Sequence, residues 1–600
     1  MLSNPSQRQQ RKAIIMTMMA ALRSLFLDKS NSLTLSRLVL YGLYLRVFQW
    51  LFMAGICAIS PSHSPGEDVV GFDLRLNDDS DDCFAHVNTF CECGYTCEWQ
   101  KTTLSTVFAT ATSSTTSSSA MGCHTMAKTT TNYTTNFLHS HVYPFLLRPL
   151  TRWDAARFLR LALRPQLWYP YPQFSLAGEQ SFSSSSSEMA HAFFPMFPAA
   201  IQRTAHLLLT WFPSYYLPSS CEGVLVLAAW ILNTVCFAIA LVSLHQTTYL
   251  MLSLSQQQQQ QQQQQGGGTS ADGDDRNAKI GEPFRRYANL VGLLFVCNPA
   301  SVFFNTAYSE SLFAAFIFTG AYGIARWGPL GAVVPWSLAT ATRSNGILYF
   351  GYMMLLGAGY LMQSKRPKWL RIRDLFVCLV VGDYILYPLY RHNCNGIAYH
   401  CENNDISSSS SRVEWCDEAQ NNPYFFLYSY VQRKYWNVGF LRYYEWKQIP
   451  NFILAAPILI LSCVAVMDWI HRSWRFTTSA DQKPFHQQVL VWIVESLRQF
   501  VAVDRGPKSS HESPETVQMT AMYPSALGHF AVLAIAALLG LTTAHVQIST
   551  RLLCSSCPAL YWYAAHLVST SEKWGSVYLV YCVSYIVLGT ILHPLWLPWT

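Results

Sequence analysis

Charged residues are scarce in this chain. Only 12% of its 600 residues are Asp, Glu, Lys or Arg, whereas 51% are hydrophobic and 14% are aromatic. About a quarter of the residues in an ordinary soluble domain are charged, so this composition excludes a soluble globular protein. The net charge of +7 is modest, and its positive residues gather in loops that flank apolar runs. The charge therefore gives no reason to expect a nucleic-acid partner.

The chain has no recognisable removable signal peptide and no evident internal repeat. Its first apolar run, residues 16–27, is shorter than the roughly 20 residues that cross a bilayer, and no small-residue cleavage site follows it. Basic residues, Arg8, Arg11 and Lys12 among them, predict a cytosolic tail over residues 1–38. Residues 39–60 then form the first transmembrane helix, in which Arg46 must snorkel or face the interior of a bundle.

Long apolar runs fill most of the remaining chain. They lie at about 191–212, 222–245, 286–304, 308–326, 329–363, 375–391, 449–470, 524–546, 557–568 and 575–597. This pattern predicts an all-α polytopic membrane protein with about eight to eleven spans. Residues 329–363 fit either one tilted helix or two short helices hinged around Arg343-Ser344-Asn345-Gly346.

Basic residues set the expected sidedness of the loops. Lys and Arg residues between positions 365 and 373 predict a cytosolic turn, which makes the loop at 392–448 luminal. The cytosolic amino terminus likewise makes residues 61–190 a luminal loop. Residues 191–391 are then a transmembrane bundle with a polyglutamine loop at about 246–285, and residues 449–600 are the carboxy-terminal transmembrane helices.

The first luminal loop suits an oxidising, glycosylating compartment. It carries a Ser/Thr-rich tract, a sequon at Asn132 and the cysteines Cys83, Cys91, Cys93, Cys97 and Cys123. Disulfides are the expected state of these cysteines, and a zinc site with His86 or His124 is the weaker alternative because the spacing fits poorly. The serine runs at 183–187 and 407–411 and the glutamines at 256–265 predict disordered loop expansions.

An aspartate stands beside an aromatic residue where the first long polar loop ends, in the segment Arg152-Trp153-Asp154-Ala155. Residues 154–162 predict a short amphipathic helix on the membrane, with Phe158 toward the lipid and Arg157 toward the head groups. Such a helix would hold the Asp154 carboxylate at the luminal boundary. Asp154 is therefore either a catalytic base or a residue that caps or anchors an interfacial helix.

Several short motifs follow one another in a definite order. They are Trp153-Asp154-Ala155 with Phe158-Leu159, Ala192-Phe193-Phe194-Pro195, Asn298-Pro299-Ala300-Ser301-Val302-Phe303 with Tyr308-Ser309-Glu310, Thr342-Arg343-Ser344-Asn345-Gly346, residues 435–445 with 448–452, His545-Val546-Gln547 with Arg551, and Leu597-Pro598-Trp599-Thr600. In residues and in order they resemble the motif series of the GPI mannosyltransferase 2 family. The resemblance runs from about residue 36 to residue 600, interrupted by the low-complexity inserts and by a cysteine-rich first loop longer than the family's.

The resemblance implies a GT-C-like glycosyltransferase bundle with luminal loops in the endoplasmic reticulum membrane. Its activity would be α1,6 transfer of the second mannose to the glycosylphosphatidylinositol (GPI) precursor, with dolichyl phosphate mannose as the donor. The expected partners are this donor, the glycolipid acceptor and membrane lipids. The resemblance leaves open whether a small membrane subunit is also a partner. No cofactor or metal is expected.

Transfer from a β-linked phosphate to an α-linked product inverts the anomeric carbon, so a single carboxylate base is enough. We assign this base to Asp154. Because the leaving group is already a stabilised phosphate, a cation or an amide would assist it more than a second acid. Arg343 and Glu310 lie in or beside apolar runs, where each charge needs a partner, and they form either a donor-phosphate site or a structural ion pair.

Further substrate contacts are expected from polar residues of the same motifs. Asn345 lies close to Arg343, and Arg551 offers a second phosphate contact together with His545. The acid that precedes the Ala192-Phe193 motif is either Glu188 or Glu179, and it either binds acceptor hydroxyls or sits on a solvated loop.

The aromatic-rich residues 424–446 can line a sugar cleft, because carbohydrate faces pack on aromatic rings. Tyr435 and Asn437 are the candidate contacts there. The alternative is that these rings anchor the chain at a membrane interface.

Two other function classes fit the same number of spans. A transporter would use Arg343, Glu310 and Asp383 as a substrate pathway, but the paired broken helices of inverted repeats are not evident. A non-catalytic membrane scaffold is the second alternative.

Overall fold

The computed structural model describes residues 5–59, 142–163, 188–213, 216–218, 221–264, 273–401, 413–422, 424–478, 485–501 and 526–597. Within these ranges the regular elements are α-helices and short 3-10 helices, without a strand. The predicted all-α class is thereby confirmed. The cysteines of the first loop, Asn132, Glu179 and both serine runs lie outside the described residues.

The described helices follow the predicted apolar runs closely. Those of the first half are α1 Pro5–Ser32, α2 Leu35–Ile59, α3 Tyr143–Leu147, α4 Asp154–Leu163, α5 Met196–Trp211, α6 Cys221–Gln264, α7 Gly273–Val296, α8 Ser301–Asn305 and α9 Glu310–Trp327. Those of the second half are α10 Val333–Thr342, α11 Leu348–Leu361, α12 Lys368–Cys401, α13 Cys416–Asn421, α14 Leu427–Trp436, α15 Ile449–Thr478, α16 Phe485–Val501, α17 Leu527–Thr542, α18 Ser549–Ser556, α19 Pro558–Thr570 and α20 Glu572–Leu592.

Four of the described helical segments are long and apolar enough to cross a bilayer. They are Leu35–Ile59, Glu222–Ser253, Trp446–Arg475 and Glu572–Leu592. The chain is therefore a multi-pass membrane protein, and the total of eight to eleven spans stays a prediction. Residues 329–363 form α10 and α11, joined by the 3-10 helix Ser344–Ile347, so the hinged alternative is the observed one.

Three elements differ from the predictions. Helix α12 continues through Cys401, so its last turns occupy the start of the predicted loop at 392–448, because polar residues there keep the helical backbone after the apolar run ends. Helix α6 continues through Gln264, where composition predicted a disordered glutamine loop. Glutamine has a favourable helix propensity, and the first helix breakers after it are glycines that begin at Gly266. Helix α16 has no counterpart among the predicted runs, because Gln, Glu, Ser and Arg interrupt its apolar residues. It packs beside α15, where the Trp492 indole donates to the Ser473 hydroxyl over 2.8 Å.

Close packing of α9 against α10 brings the start of one helix to the end of the other. A Cβ atom at Gly320 would lie 2.1 Å from Nε1 of Trp336, so only glycine leaves room for this indole. The Trp336 indole donates in turn to the Ile317 carbonyl over 3.1 Å. Because the two helices pack side by side, Glu310 at the start of α9 meets Arg343 just after the end of α10.

Arg46 faces the interior of the bundle and does not snorkel, so the second of the two predicted alternatives is the observed one. Its side chain is 1% exposed, and its guanidinium lies 3.9 Å from the centre of the Phe237 ring. The same guanidinium donates to the Ser301 carbonyl, and Gln49 donates to the Ser301 hydroxyl over 3.0 Å. Helix α2 is thus fastened to the polar turn that leads into α8.

A second, smaller core lies beside the bundle. It consists of Trp415, Cys416, Phe425, Leu427 and Val431, and we call residues 413–436 the side unit. A disulfide between Cys401 and Cys416 ties this unit to the end of α12. Disulfides persist in oxidising compartments, so this bond supports the predicted luminal location of residues 392–448. Cys394, in the same predicted loop, is a free thiol.

Candidate active site

Asp154 begins helix α4 directly after a backbone reversal. Trp153 has a left-handed conformation with φ 59°, which a non-glycine residue adopts only where surrounding contacts impose it. The Trp153 ring packs on Trp596 with 5.6 Å between centroids, and the Asp154 N–H donates to the Tyr308 hydroxyl over 3.2 Å. The turn therefore holds Asp154 in a defined position against the bundle.

The predicted helix after Asp154 is present, but its surroundings correct the prediction. Phe158 packs edge-on against Phe193 and Phe197, with 5.1 Å between centroids in each pair, and not against lipid. The half-buried Arg157 guanidinium lies 5.5 Å from the centre of the Trp436 ring. The apolar face of α4, which the amphipathic pattern predicted to contact lipid, therefore packs against aromatic rings of neighbouring segments.

The motif at 298–310 forms a polar turn whose side chains bond to backbone. The Asn298 carboxamide oxygen accepts the Ala300 N–H over 2.9 Å, which reverses the chain before α8. After α8, the Asn233 amide donates to the Tyr308 carbonyl over 3.0 Å. This turn sets the Tyr308 hydroxyl beside Asp154 and starts α9 at Glu310.

Two carboxylates and two guanidiniums meet at this turn, and we call Asp154, Glu310, Arg343 and Arg551 the charged quartet. Arg551 donates from Nη2 to Asp154 Oδ2 over 3.2 Å, and its Nη1 lies 3.7 Å from Glu310 Oε1. Arg343 forms an ion pair with the same Glu310 oxygen and donates to the Ser309 hydroxyl over 3.3 Å. The predicted pairing of Arg343 with Glu310 is thus observed, and Arg551 links this pair to Asp154.

The four side chains differ in their access to solvent. Glu310 is 0% exposed, Arg551 is 14% exposed and Arg343 is 17% exposed. Asp154 is the most open member, at 35%. Asp154 can therefore reach a substrate hydroxyl, whereas Glu310 can act only through the two arginines that it holds.

Glu188 and Tyr435 belong to a second polar group. Glu188 Oε2 accepts from Lys434 Nζ over 2.9 Å and from the Tyr435 hydroxyl over 3.0 Å, although Glu188 itself is only 1% exposed. Burial and this hydrogen bond to a carboxylate raise the pKa of Tyr435 to about 12. Glu188 is consequently a buried anchor of helix α14, and the predicted alternative of a solvated loop residue is wrong.

A cleft of about 480 Å³ opens on the far side of α14. Its lining combines the rings of Tyr424, Phe425, Phe426 and Tyr430 with the cations Arg433 and Lys434 and the carboxylate of Glu418. On the other side of the helix, Tyr428 accepts a hydrogen bond of 2.9 Å from Ser344, the residue after Arg343. Helix α14 therefore separates the cleft from the charged quartet.

The remaining candidate residues lie at the edges of these groups. Asn345 follows Arg343 by two positions, and its buried amide nitrogen has no hydrogen-bond partner among the described residues. Asn437 ends α14 in a left-handed conformation with φ 52°. His545 donates to the Trp436 carbonyl and so braces α14. Asp383 lies exposed on α12.

Three polar contacts of the site were missed by reasoning from the sequence alone. They come from Tyr308, Ser309 and Lys434. Tyr308 and Ser309 stand directly before Glu310, so their place in that motif was the available signal. Lys434 had no comparable signal, because a lysine in a polar loop is ordinarily solvated.

No metal centre is evident in the part of the chain that the structure describes. None of its His, Cys, Asp and Glu residues gather in a group of three or more that could hold a metal ion. Of the two carboxylates in the quartet only Asp154 is open, since Glu310 is buried against both guanidiniums. A single open carboxylate beside two cations suits an anionic ligand better than a metal. Metal-independent chemistry stays a prediction.

Comparison with known proteins gives this site a chemical context. The family model described as Mannosyltransferase (PIG-V) matches residues 277–600, which is more than half of the chain. Glu310, Arg343 and Arg551 lie inside the matched segment, and Asp154 precedes it. No solved structure matches the chain.

Individual relatives cover more of the sequence. The chain is 28% identical over 516 residues to GPI alpha-1,6-mannosyltransferase 2 of Cricetulus griseus, an alignment that spans 76% of this chain and 88% of that protein. It is 27% identical to the Homo sapiens protein of the same name, with the same coverage. It is also 27% identical to GPI mannosyltransferase 2 of Drosophila pseudoobscura pseudoobscura, over 76% of this chain and 87% of that one.

Proposed function

Since the chain belongs to the PIG-V family of mannosyltransferases, we propose that it transfers the second mannose, in α1,6 linkage, from dolichyl phosphate mannose to the GPI precursor. The observation that carries this proposal is the contact of Arg551 with Asp154, because it places the more open carboxylate of the quartet beside a cation that can bind phosphate. The relatives named for α1,6 transfer support the linkage.

The reaction is a single displacement at the anomeric carbon. The attacking oxygen is the 6-hydroxyl of the acceptor mannose, and Asp154 takes its proton as the new C–O bond forms. The bond from the anomeric carbon to the phosphate oxygen breaks at the same time, and dolichyl phosphate leaves with the electron pair. One proton passes to Asp154 and one mannosyl group passes to the acceptor, so no further reactant is required.

Charge balance supports a joint role of the quartet in this step. The resting quartet is neutral, with two carboxylates and two guanidiniums. When Asp154 accepts the proton, the quartet gains one positive charge just as the leaving phosphate gains one negative charge. Opposite charges that develop together in a partly buried site stabilise the transition state. Arg551, whose ion pair with Asp154 is neutralised at that moment while Glu310 still holds it, is the natural phosphate contact.

Arg343 is the second phosphate contact, and Glu310 is a positioning residue. Because Glu310 is fully buried, its carboxylate holds Arg343 and Arg551 in place and does not reach sugar. Asn345 is an amide donor beside Arg343 for the same phosphate. On the acceptor side, Tyr435 and Asn437 belong to the helix that Glu188 anchors, next to the cleft.

We place the reaction at the luminal face of the endoplasmic reticulum membrane. Asp154 and the side unit lie on one side of the protein, since Arg157 reaches Trp436 and Glu188 reaches Lys434. The disulfide in the side unit and the basic residues at 365–373 favour the lumen for that side. The partners are then the lipid-linked donor, the glycolipid acceptor and membrane lipids, and a small accessory subunit stays open.

The test is the identity of the glycolipid that accumulates without this protein. Cells that lack it should accumulate a GPI precursor with one mannose, and the full chain should relieve the block. Accumulation of a precursor with another number of mannoses would overturn the assignment. The transporter alternative requires substrate flux across sealed vesicles without a new glycosidic bond, whereas a scaffold would leave mannosyl transfer by the purified chain undetectable.

A further inference from the structure

The cleft beside helix α14 combines flat rings with a cation that has no carboxylate partner. Tyr424 and Tyr430 present aromatic rings, and Asn422 and Ser429 add an amide and a hydroxyl between them. In the described part of the chain, no carboxylate lies within salt-bridge distance of Arg433. Sugar rings pack on aromatic faces while hydroxyls and amides bind their edges, and a guanidinium binds phosphate through two parallel hydrogen bonds.

The two cations of the cleft have different surroundings. Lys434 is held by the buried Glu188 carboxylate at 2.9 Å, and its ammonium group lies 5.5 Å from the centre of the Tyr430 ring. Lys434 is thus already neutralised. Glu418 also lines the cleft, but among the described residues it forms no ion pair with Arg433. The Arg433 guanidinium is therefore available to pair with an anionic group of a ligand.

The cleft is built on a rigid base. The core of the side unit lies under it, with the Trp415 and Phe425 rings stacked at 5.4 Å between centroids. The disulfide from Cys416 to Cys401 fixes this core to α12. A preformed cleft of about 480 Å³ falls in the size range of small-molecule sites, about 300–1,000 Å³.

Helix α14 lies between this cleft and the charged quartet. One face of the helix is turned toward the quartet, and another face lines the cleft. Tyr428 on one face bonds Ser344 beside Arg343, whereas Tyr430 and Arg433 on another face line the cleft. The distance across one helix with its side chains is about 10 Å. A headgroup of several sugar rings can span this distance, with its terminal sugar at the quartet and its inner part in the cleft.

We propose that the cleft is the binding site for the phosphorylated inner glycan of the acceptor glycolipid. Tyr424 and Tyr430 stack on its sugar rings, and Arg433 pairs with its phosphodiester. This inference rests on the proposed function, because it takes the acceptor to be a glycan attached to a phospholipid. The single sugar of the donor is too short to reach from the quartet to the cleft.

The test measures acceptor affinity with and without the phosphate. With saturating donor, Arg433→Ala should raise the KM for the acceptor about tenfold, which corresponds to about 1.4 kcal/mol, and leave kcat and the donor KM unchanged. For the natural chain, an acceptor glycan that lacks the phosphodiester should show a similar rise. For Arg433→Ala, removal of the phosphodiester should raise the acceptor KM little further, because the contact between Arg433 and the phosphodiester is already lost.

Two further variants separate the cleft from general effects of substitution. Tyr424 is 91% exposed, so Tyr424→Ala should fold normally and raise the acceptor KM through lost stacking. Lys447→Ala removes a cation of the same segment whose side chain is 73% exposed and which does not line the cleft, so its acceptor KM should stay unchanged. An unchanged acceptor KM in both Arg433→Ala and Tyr424→Ala, or a raised donor KM instead, would overturn the proposal.

Direct binding distinguishes failure of the cleft from failure of the proposed function. The phosphorylated mannosyl-glucosaminyl-inositol headgroup should bind the full Asp154→Asn chain, and addition of Arg433→Ala should weaken this binding about tenfold. Equal binding by both chains would refute the cleft as the binding site of the inner glycan and leave the proposed function unaffected. The absence of mannosyl transfer by the natural chain would refute the proposed function, whether or not the headgroup binds.

Discussion

Arg551 and Asp154 are 397 residues apart in the sequence, yet Arg551 Nη2 lies 3.2 Å from Asp154 Oδ2. The contact joins the end of the first long loop to helix α18 near the carboxyl terminus. Because Arg551 also lies 3.7 Å from Glu310, one guanidinium connects the open carboxylate to the buried one. The proposed base and its electrostatic support therefore come from distant parts of the chain.

Replacement of Asp154 by asparagine should abolish catalysis without unfolding the chain. The amide has nearly the same shape but cannot accept the proton, so we expect kcat to fall by about 10²–10⁴. Mannosyl transfer in membranes with matched protein abundance is the measurement. Asp383→Asn is the matched control, since Asp383 is exposed and lies outside the quartet. Activity of Asp154→Asn within twofold of the natural chain would remove Asp154 as the base.

Arg551 should not be replaceable by lysine. A guanidinium can face Asp154 and Glu310 with different nitrogens, whereas a single ammonium cannot keep both contacts and a phosphate. We expect Arg551→Lys to lower kcat/KM for the donor by at least about tenfold. Arg498→Lys, in an exposed ion pair with Glu495, should keep normal kinetics. Normal donor kinetics in Arg551→Lys would contradict a phosphate role.

Loss of Glu310 should cost more stability than loss of Arg343. Glu310 has two cationic partners, and its removal leaves Arg343 in a partly buried site without a carboxylate. Breaking such a buried pair costs about 3–5 kcal/mol, whereas removal of both partners costs less than the sum. Thermal unfolding of Glu310→Leu, Arg343→Met and the double variant measures this coupling. Additive losses would show that the two side chains do not stabilise each other.

The disulfide between Cys401 and Cys416 should stabilise the side unit. It closes a loop with a sequence separation of 15 residues, for which chain entropy predicts about 3 kcal/mol. The double variant Cys401→Ser with Cys416→Ser should therefore unfold more readily, with a raised acceptor KM as the local readout. Cys394→Ser removes a free thiol and is the control. Thiol labelling of both cysteines in the unreduced natural protein would refute the bond.

The members of the charged quartet could be predicted singly from the sequence because charge is costly in an apolar environment. Glu310 and Arg343 stand in or beside apolar runs, and Asp154 and Arg551 occur in motifs of the same series. The sharing of Arg551 between two acids could not be predicted. It depends on how α4, α9 and α18 pack, and periodicity within one segment carries no information about that packing.

The same limit explains the errors at the edges of the site. The amphipathic pattern of α4 showed which of its residues are apolar, but lipid and protein satisfy such a face equally well. Spacing to a motif left Glu188 and Glu179 as alternatives, and only tertiary packing shows Glu188 on Lys434. For the glutamine tract, low complexity outweighed helix propensity in the prediction, and the helix continues to Gln264.

Acid should destabilise the turn that leads into α5, because burial of His191 there favours its neutral ring. Burial, reinforced by His392 and His400, lowers the pKa of His191 well below its ordinary value of 6.5. The imidazole rings of His191 and His400 lie 5.1 Å apart, while Glu188 and Lys434 compensate each other nearby.

The sign follows from the protons that each state binds. Below pH 6.5 the unfolded chain protonates His191 but the folded chain does not, so the free energy of unfolding falls as the pH falls toward the lowered pKa. The slope is at most about 1.4 kcal/mol per pH unit for one proton. Thermal unfolding between pH 7.5 and 5 should show this loss, and His191→Asn should reduce its slope, while the buried His392 and His400 keep their own contributions. Equal slopes in the two chains would mean that His191 is already protonated in the folded protein or that other groups set the acid response.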